Sequence, residues 1–164
     1  MPPPGRAGGL PAGLRFADVG FMQAFQRTYV RFQEEVYVRT DGRLGHRLAV
    51  VPCLLLHTTG RKSGLRRTCV LLYVPDGRDR IVVASNYGGD RPPAWLLNAQ
   101  ADPGVDIQVA REKSAVTARV VEPGAADYDR LWALVNERNH QRYRTYQTRT
   151  TRPIPVVVLT PAGG

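Results

Sequence analysis

A chain of 164 residues with a 43% apolar share has the length of one domain and can bury a core of its own. Its net charge of +9 implies an anionic partner, whether nucleic acid, a membrane surface or a phosphorylated small molecule. No apolar run approaches the roughly 20 residues of a membrane helix, and Met1-Pro-Pro-Pro-Gly-Arg lacks a signal-peptide core. Cys53 and Cys69 each sit inside an apolar run, and His46, His57 and His140 have no metal-site spacing. The expectation is a cytoplasmic protein with buried thiols, no disulfide and no metal.

Residues 1–17 are rich in Pro and Gly and read as a disordered tail, followed by a single domain over 18–164. From Asp18, a suitable N-cap, Phe21, Phe25, Tyr29 and Phe32 recur at helical spacing and mark one face of an amphipathic helix. That face can pack on the core or meet a membrane surface. Asp41-Gly42-Arg43-Leu44-Gly45 breaks the pattern and reads as a loop.

The stretch from Cys53 to Val74 then places two apolar runs around a tight basic turn. Gly60 and Gly64 bracket Arg61, Lys62 and Ser63, and Arg66 and Arg67 follow at once. The flanking runs are short and rich in Leu and Val, as strands are. A glycine-bounded turn with backbone N–H groups and three or four cations suits a phosphate, although basic hairpin tips are also common as plain solvated surface. Its spacing is not that of a Walker loop.

Pro75-Asp76-Gly77 signals a turn, Arg80 to Ser85 a third strand, and Asn86 to Pro93 a loop with two glycines and two prolines. Pro93 opens a short helix over Ala94 to Ala99, which Asp102-Pro103-Gly104 stops. Val105 to Val109 and Ala115 to Val121 flank Arg111 to Ser114 as a second hairpin. After Pro123-Gly124 comes a helix with Tyr128, Leu131, Trp132, Leu134 and Val135 on its apolar face, then a polar aromatic stretch over 139–149, then a last strand from Ile154 to Leu159. Five or six strands joined by hairpins, with peripheral helices, predict an α+β, mainly β domain built as a small antiparallel barrel. Neither βαβ alternation nor G-x-G-x-x-G occurs, which argues against a nicotinamide-type site.

Three segments in register carry a resemblance. They are Leu56-His-Thr-Thr-Gly60-Arg-Lys-Ser-Gly64-x-x-Arg67; Val83-Ala-Ser85-Asn86-x-Gly88-Gly89 followed by Pro93-Ala94-Trp95, Asn98 and Asp102-Pro103; and Tyr143-x-x-Tyr146-Gln147 followed by Arg152-x-Ile154-Pro155. Together they resemble the deazaflavin (coenzyme F420)-dependent nitroreductase and quinone reductase family of actinobacteria. That resemblance implies a split β-barrel like that of pyridoxamine-phosphate oxidases, coenzyme F420 as cofactor, and hydride transfer from its reduced form to a quinone-like or other conjugated acceptor. It further implies that Arg61, Lys62, Ser63 and Arg67 hold the cofactor's phosphate and acidic tail, and that Thr68, Cys69, Val70, Leu71 and Leu72 run along the ring. Val83, Ala84, Ser85 and Asn86 would form a second wall, and Ala94, Trp95, Leu96, Leu97 and Asn98 a third. Tyr143 would cover the ring, with Tyr146 or Ser85 donating a hydrogen bond to the acceptor.

The chain departs from the family's pattern at Arg66, Leu72, Val70, Tyr87, Leu96 and His140, which touch the ring and acceptor more than the phosphate. Other readings are a small basic barrel that binds single-stranded nucleic acid through Tyr143, Arg144 and Tyr146, and a binder of FMN or haem with the same fold. The expected assembly is a monomer or a homodimer.

Overall fold

The computed structural model describes Arg39, residues 47–48 and residues 51–163. The expectations for the tail, for the aromatic helix and its membrane contact, and for the loop at 41–45 lie outside the described residues. No described helix is long and apolar enough to cross a membrane.

Among the described residues, eight strands form one antiparallel sheet: β1 (Arg47–Leu48), β2 (Val51–Thr59), β3 (Arg66–Leu72), β4 (Val74–Asp76), β5 (Asp79–Val83), β6 (Gly104–Val109), β7 (Glu112–Val121) and β8 (Val156–Pro161). Their order is β1-β2-β6-β7-β8-β5-β4, with β3 also paired to β2. This is more strands than the sequence pattern suggests, because the first and fourth are only two and three residues long. Among the described residues, neither β3 nor β4 has a hydrogen-bonded neighbour on its outer side, so the sheet stays split between them.

Strand alternation sorts the apolar residues onto two faces. Leu54, Leu56, Val82, Ala84, Ile107, Val116, Val157 and Leu159 face one another inside the barrel. Helix α1 (Ala94–Ala101) closes one end of that core with Trp95, Leu96 and Ala99. The opposite face of β5 and β8, through Ile81, Val83, Val156 and Val158, carries a second core under helices α2 (Tyr128–Arg138) and α3 (Arg142–Gln147). The last strand is therefore apolar on both faces, which explains its unbroken run of Val156, Val157, Val158 and Leu159.

Turn chemistry moves several boundaries from their predicted places. Pro75 and Asp76 lie in β4, and the hairpin turns at Gly77 and Arg78, with Gly77 at φ +60. The second hairpin turns at Ala110 and Arg111, so Glu112, Lys113 and Ser114 are paired strand residues rather than loop. Ala110 takes the left-handed conformation there, at φ +51, without a glycine to announce it.

Candidate functional site

The register of β2 and β3 builds the site. Thr58 pairs with Arg67, His57 with Thr68 and Leu56 with Cys69. Between the strands the chain reverses through residues 60–65. Gly60 N–H donates to Leu65 O (2.8 Å), while Gly60 O accepts from Ser63 N–H (3.1 Å) and Gly64 N–H (2.7 Å). A Cβ on Gly60 would meet Ser63 Oγ at 2.6 Å, and Gly64 sits at φ +68, so both glycines are needed for the turn. Leu65 N–H also turns inward, to Ser63 Oγ at 3.3 Å.

These bonds correct one expectation. The turn does not offer a row of backbone N–H groups to a ligand, because it uses nearly all of them itself. Within the turn, Lys62 N–H alone has no acceptor among the described residues. Its binding capacity lies in exposed side chains, those of Arg61, Lys62 and Ser63, joined by Arg67 from β3.

Asn98 anchors the turn to the rest of the molecule. Its Oδ1 accepts from Arg61 N–H (3.1 Å) and its Nδ2 donates to Thr58 Oγ1 (3.1 Å), with the side chain buried under α1. Replacing it by Ala orphans the Arg61 amide and the Thr58 hydroxyl. Asn98→Ala is expected to lower stability by about 1–3 kcal/mol, read as a lowered Tm, and to weaken ligand binding at the turn as well. Unchanged Tm and binding would show that the turn holds its shape without this bridge.

The result is a cleft of about 490 Å³ where the end of the barrel meets α1. Arg61, Lys62, Ser63, Arg67, Thr68 and Cys69 line it from the hairpin, and Ala94, Trp95 and Asn98 line it from the helix. Thr58 and Gly60 complete the wall. Thr58 was missed as a site residue. It shares the inner face with Leu56 two positions earlier, and that alternation is the signal that could have found it. Cys53 is fully buried and Cys69 half-buried, neither in a disulfide, and the second lines the cleft as well as packing against the core.

Other predicted residues stand apart from this cleft. Leu71 packs against the inner core, Val70 and Leu72 are half-buried on the other face of β3, Leu96 is a core residue and Leu97 is half-buried. Arg66 alternates away from Arg67 and pairs with Asp106 at 3.2 Å on the outer face. There His57 Nδ1 meets Thr68 Oγ1 at 2.8 Å, and burial followed by the nearby Arg66 holds the imidazole below its ordinary pKa. Val83 faces the second core and Ala84 the first. Ser85 is buried and Asn86 half-buried at the start of a 3-10 turn, Asn86–Gly88.

Tyr143 and Tyr146, three residues apart, share one face of α3, and that face is turned inward. Only 7% and 6% of their surfaces are exposed, so they fill the second core rather than roof an open site. The arginines around them, Arg142, Arg144 and Arg149, take the solvent side. The short helix is capped from its neighbour, since Asn136 Oδ1 accepts from Arg144 N–H at 2.9 Å. Tyr146 stands edge-on to Tyr87 (6.0 Å between ring centres), and the Arg149 guanidinium lies 5.2 Å from the Tyr146 ring centre. Burial pushes the Tyr146 phenol up, so at neutral pH it is a protonated O–H donor.

Known proteins share this sequence and fold. A family model described as F420H(2)-dependent quinone reductase matches residues 29–161. An F420H(2)-dependent quinone reductase of Mycobacterium tuberculosis is 49% identical over 132 residues, which cover 80% of this chain and 89% of the relative. Among solved structures, an F420-H2 dependent reductase (FDR-A) superposes with a TM-score of 0.58 at 35% identity, covering 66% of this chain and 93% of its own. A chain described as a domain-swapped dimer gives a TM-score of 0.60 at 32% identity, covering 82% of this chain and 98% of its own.

Proposed function

We propose that this chain, which belongs to the F420H(2)-dependent quinone reductase family, holds the phosphate and acidic tail of coenzyme F420 in the cleft between the 60–65 turn and α1. It is an oxidoreductase, and the bound coenzyme supplies the hydride that a quinone-like acceptor receives. The observation that carries the placement is the convergence of Arg61, Lys62, Ser63 and Arg67 on one cleft, beside the indole of Trp95. Cations in a concave surface suit a polyanion, and Arg pairs with phosphate and carboxylate oxygens through two N–H groups.

From this anchor the ring would run toward residues 83–86, with Ala94 and Trp95 beside it. Binding, orientation and exclusion of water are then the protein's tasks. Ser85 and Tyr146 are our candidate donors to an acceptor oxygen as negative charge develops on it. In support, the Tyr146 phenol stays protonated at neutral pH, and its ring packs on Tyr87, two residues beyond Ser85.

Tyr146→Phe is expected to lower the steady-state rate with menadione by about ten- to a hundredfold at unchanged deazaflavin affinity, the pattern of a lost transition-state interaction. Full activity in that variant would leave Ser85 as the donor. The reading as a whole is tested by titrating the protein with deazaflavin, FMN and haem under fluorescence and absorbance. Saturable binding of deazaflavin in preference to the other two supports it, and preferential binding of FMN or haem refutes it. The nucleic-acid reading loses its physical basis, because Tyr143 and Tyr146 are buried and present no stacking platform. For the assembly we propose a homodimer, on the precedent of the domain-swapped relative, to be checked by light scattering.

A further inference from the structure

We propose that Arg152 is a positioning residue that turns the backbone N–H groups of Ser85 and Asn86 outward together, as a paired donor for a carbonyl oxygen on the edge of the deazaflavin ring. This rests on the cofactor reading above and adds to it a residue outside the cleft.

The Arg152 guanidinium is bound entirely by backbone carbonyls among the described residues. Its Nη2 donates to Ala84 O (3.3 Å) and Ser85 O (3.1 Å), its Nε to Gly89 O (3.3 Å) and its Nη1 to Pro153 O (3.2 Å). The residue is itself clamped, with Gln147 Nε2 donating to Arg152 O (2.9 Å) and Arg152 N–H donating to Thr150 Oγ1 (3.2 Å). No carboxylate neutralises it within ion-pairing distance among the described residues. A half-buried cation thus sits behind the 84–89 loop and draws three of its carbonyls backward.

A trans peptide is planar, so its N–H points opposite its C=O. Pulling the Ala84 and Ser85 carbonyls toward Arg152 therefore sends the Ser85 and Asn86 N–H groups to the other side of the loop. Neither N–H has an acceptor among the described residues, although Ser85 is only 9% exposed. Buried amides are nearly always paired, so the Ser85 N–H calls for an oxygen from outside the chain, which the half-buried Asn86 N–H beside it can share. The backbone supports the same reading. Ser85 lies in the right-handed helical region (φ −74, ψ −32) and Asn86 is left-handed (φ +44). Alternation of this kind makes successive N–H groups converge on one acceptor. Asn86 is further held by its own side chain, Nδ2 donating to Arg91 O at 2.9 Å. A guanidinium behind the carbonyls polarises both peptides and strengthens their N–H groups as donors.

The test is amide NMR of the 15N-labelled full chain during titration with oxidised deazaflavin coenzyme. In the wild type, the Ser85 and Asn86 amide signals should move downfield together with those of Arg61 to Ser63. In Arg152→Met the response at 85 and 86 should vanish while the response at 61–63 persists, and menadione reduction by the reduced coenzyme should slow by about tenfold or more at similar coenzyme affinity. Arg152→Lys keeps the charge but cannot span the carbonyls, so its response at 85 and 86 should also weaken. It carries the test if the Met variant does not fold. An unchanged response at 85 and 86 in either folded variant overturns the proposal. So does a wild type in which only 61–63 respond, or in which 85 and 86 respond to menadione alone. If neither region of the wild type responds to the coenzyme, the cofactor reading itself fails and takes this proposal with it.

Discussion

Arg67→Ala should weaken deazaflavin binding by roughly ten- to a hundredfold, the loss expected when about 1.5–3 kcal/mol of charged hydrogen bonding is removed. Arg67 is singled out because it comes from β3, opposite Thr58, whereas Arg61 and Lys62 stand on the exposed tip of the turn. Its Cγ lies 3.6 Å from where a Gly60 side chain would begin, so it leans over the cleft floor. Arg61→Ala should act in the same direction but less strongly, since both side chains are exposed but that of Arg61 stands on a turn and that of Arg67 on a paired strand. The informative control is Arg66→Ala. That neighbour points to the opposite face and pairs with Asp106 at the surface, so its removal should leave affinity within about threefold and change stability by no more than about 1 kcal/mol. Fluorescence titration at two salt concentrations measures all three, and wild-type binding should weaken as salt rises. Equal losses from Arg66→Ala and Arg67→Ala would mean that the charge of the whole face attracts the ligand and that this cleft does not hold it.

Gly88→Ala should be the most destabilising small substitution in the described chain. Gly88 lies at φ +79, and a Cβ there would stand 2.5 Å from Tyr146 O and 3.0 Å from Arg149 Cβ. The left-handed backbone costs an Ala about 1–2 kcal/mol. The clash adds to this because a backbone carbonyl, unlike a side-chain tip, cannot swing aside. A total of about 3 kcal/mol or more corresponds to a Tm lower by roughly 6–12 °C. Gly77→Ala is the comparison, with a similar φ of +60 and nothing within 4 Å of its Cβ. It should cost only the backbone part. Because Gly88 is where the 86–88 turn meets α3, Gly88→Ala should also part Tyr87 from Tyr146 and slow quinone reduction. A Tm within 2 °C of the Gly77→Ala value, a gap smaller than the clash requires, would show that α3 can move away freely.

The sequence by itself determined the antiparallel, mainly β class, the identity of the binding hairpin and the family. The reasons are local. A strand alternates with period two, a tight turn needs glycine, and an apolar run of four to seven residues has few other uses, so β2, the turn at 60–65 and β3 are written in their own residues. The short helix after Pro93 was legible for the same reason, since proline suits the entrance of a helix and cannot sit within one.

What only the tertiary structure decided is which way each side chain faces and which elements meet. Arg66 and Arg67 are adjacent and chemically alike, yet strand alternation sends one to the solvent face and the other into the cleft. The turn's amides look available in sequence, but the turn closes by consuming them. Tyr143 and Tyr146 sit among arginines and read as surface, but the six-residue helix rolls them onto the apolar back of β5 and β8. Arg152 looks like one more positive charge. Its contacts with Ala84, Ser85 and Gly89 span more than sixty residues of chain, and no local pattern encodes a partner at that distance. Spacing along a chain reports neighbours within one element, whereas a site is assembled from several, and their relative placement is set by the packing of two cores that share one sheet.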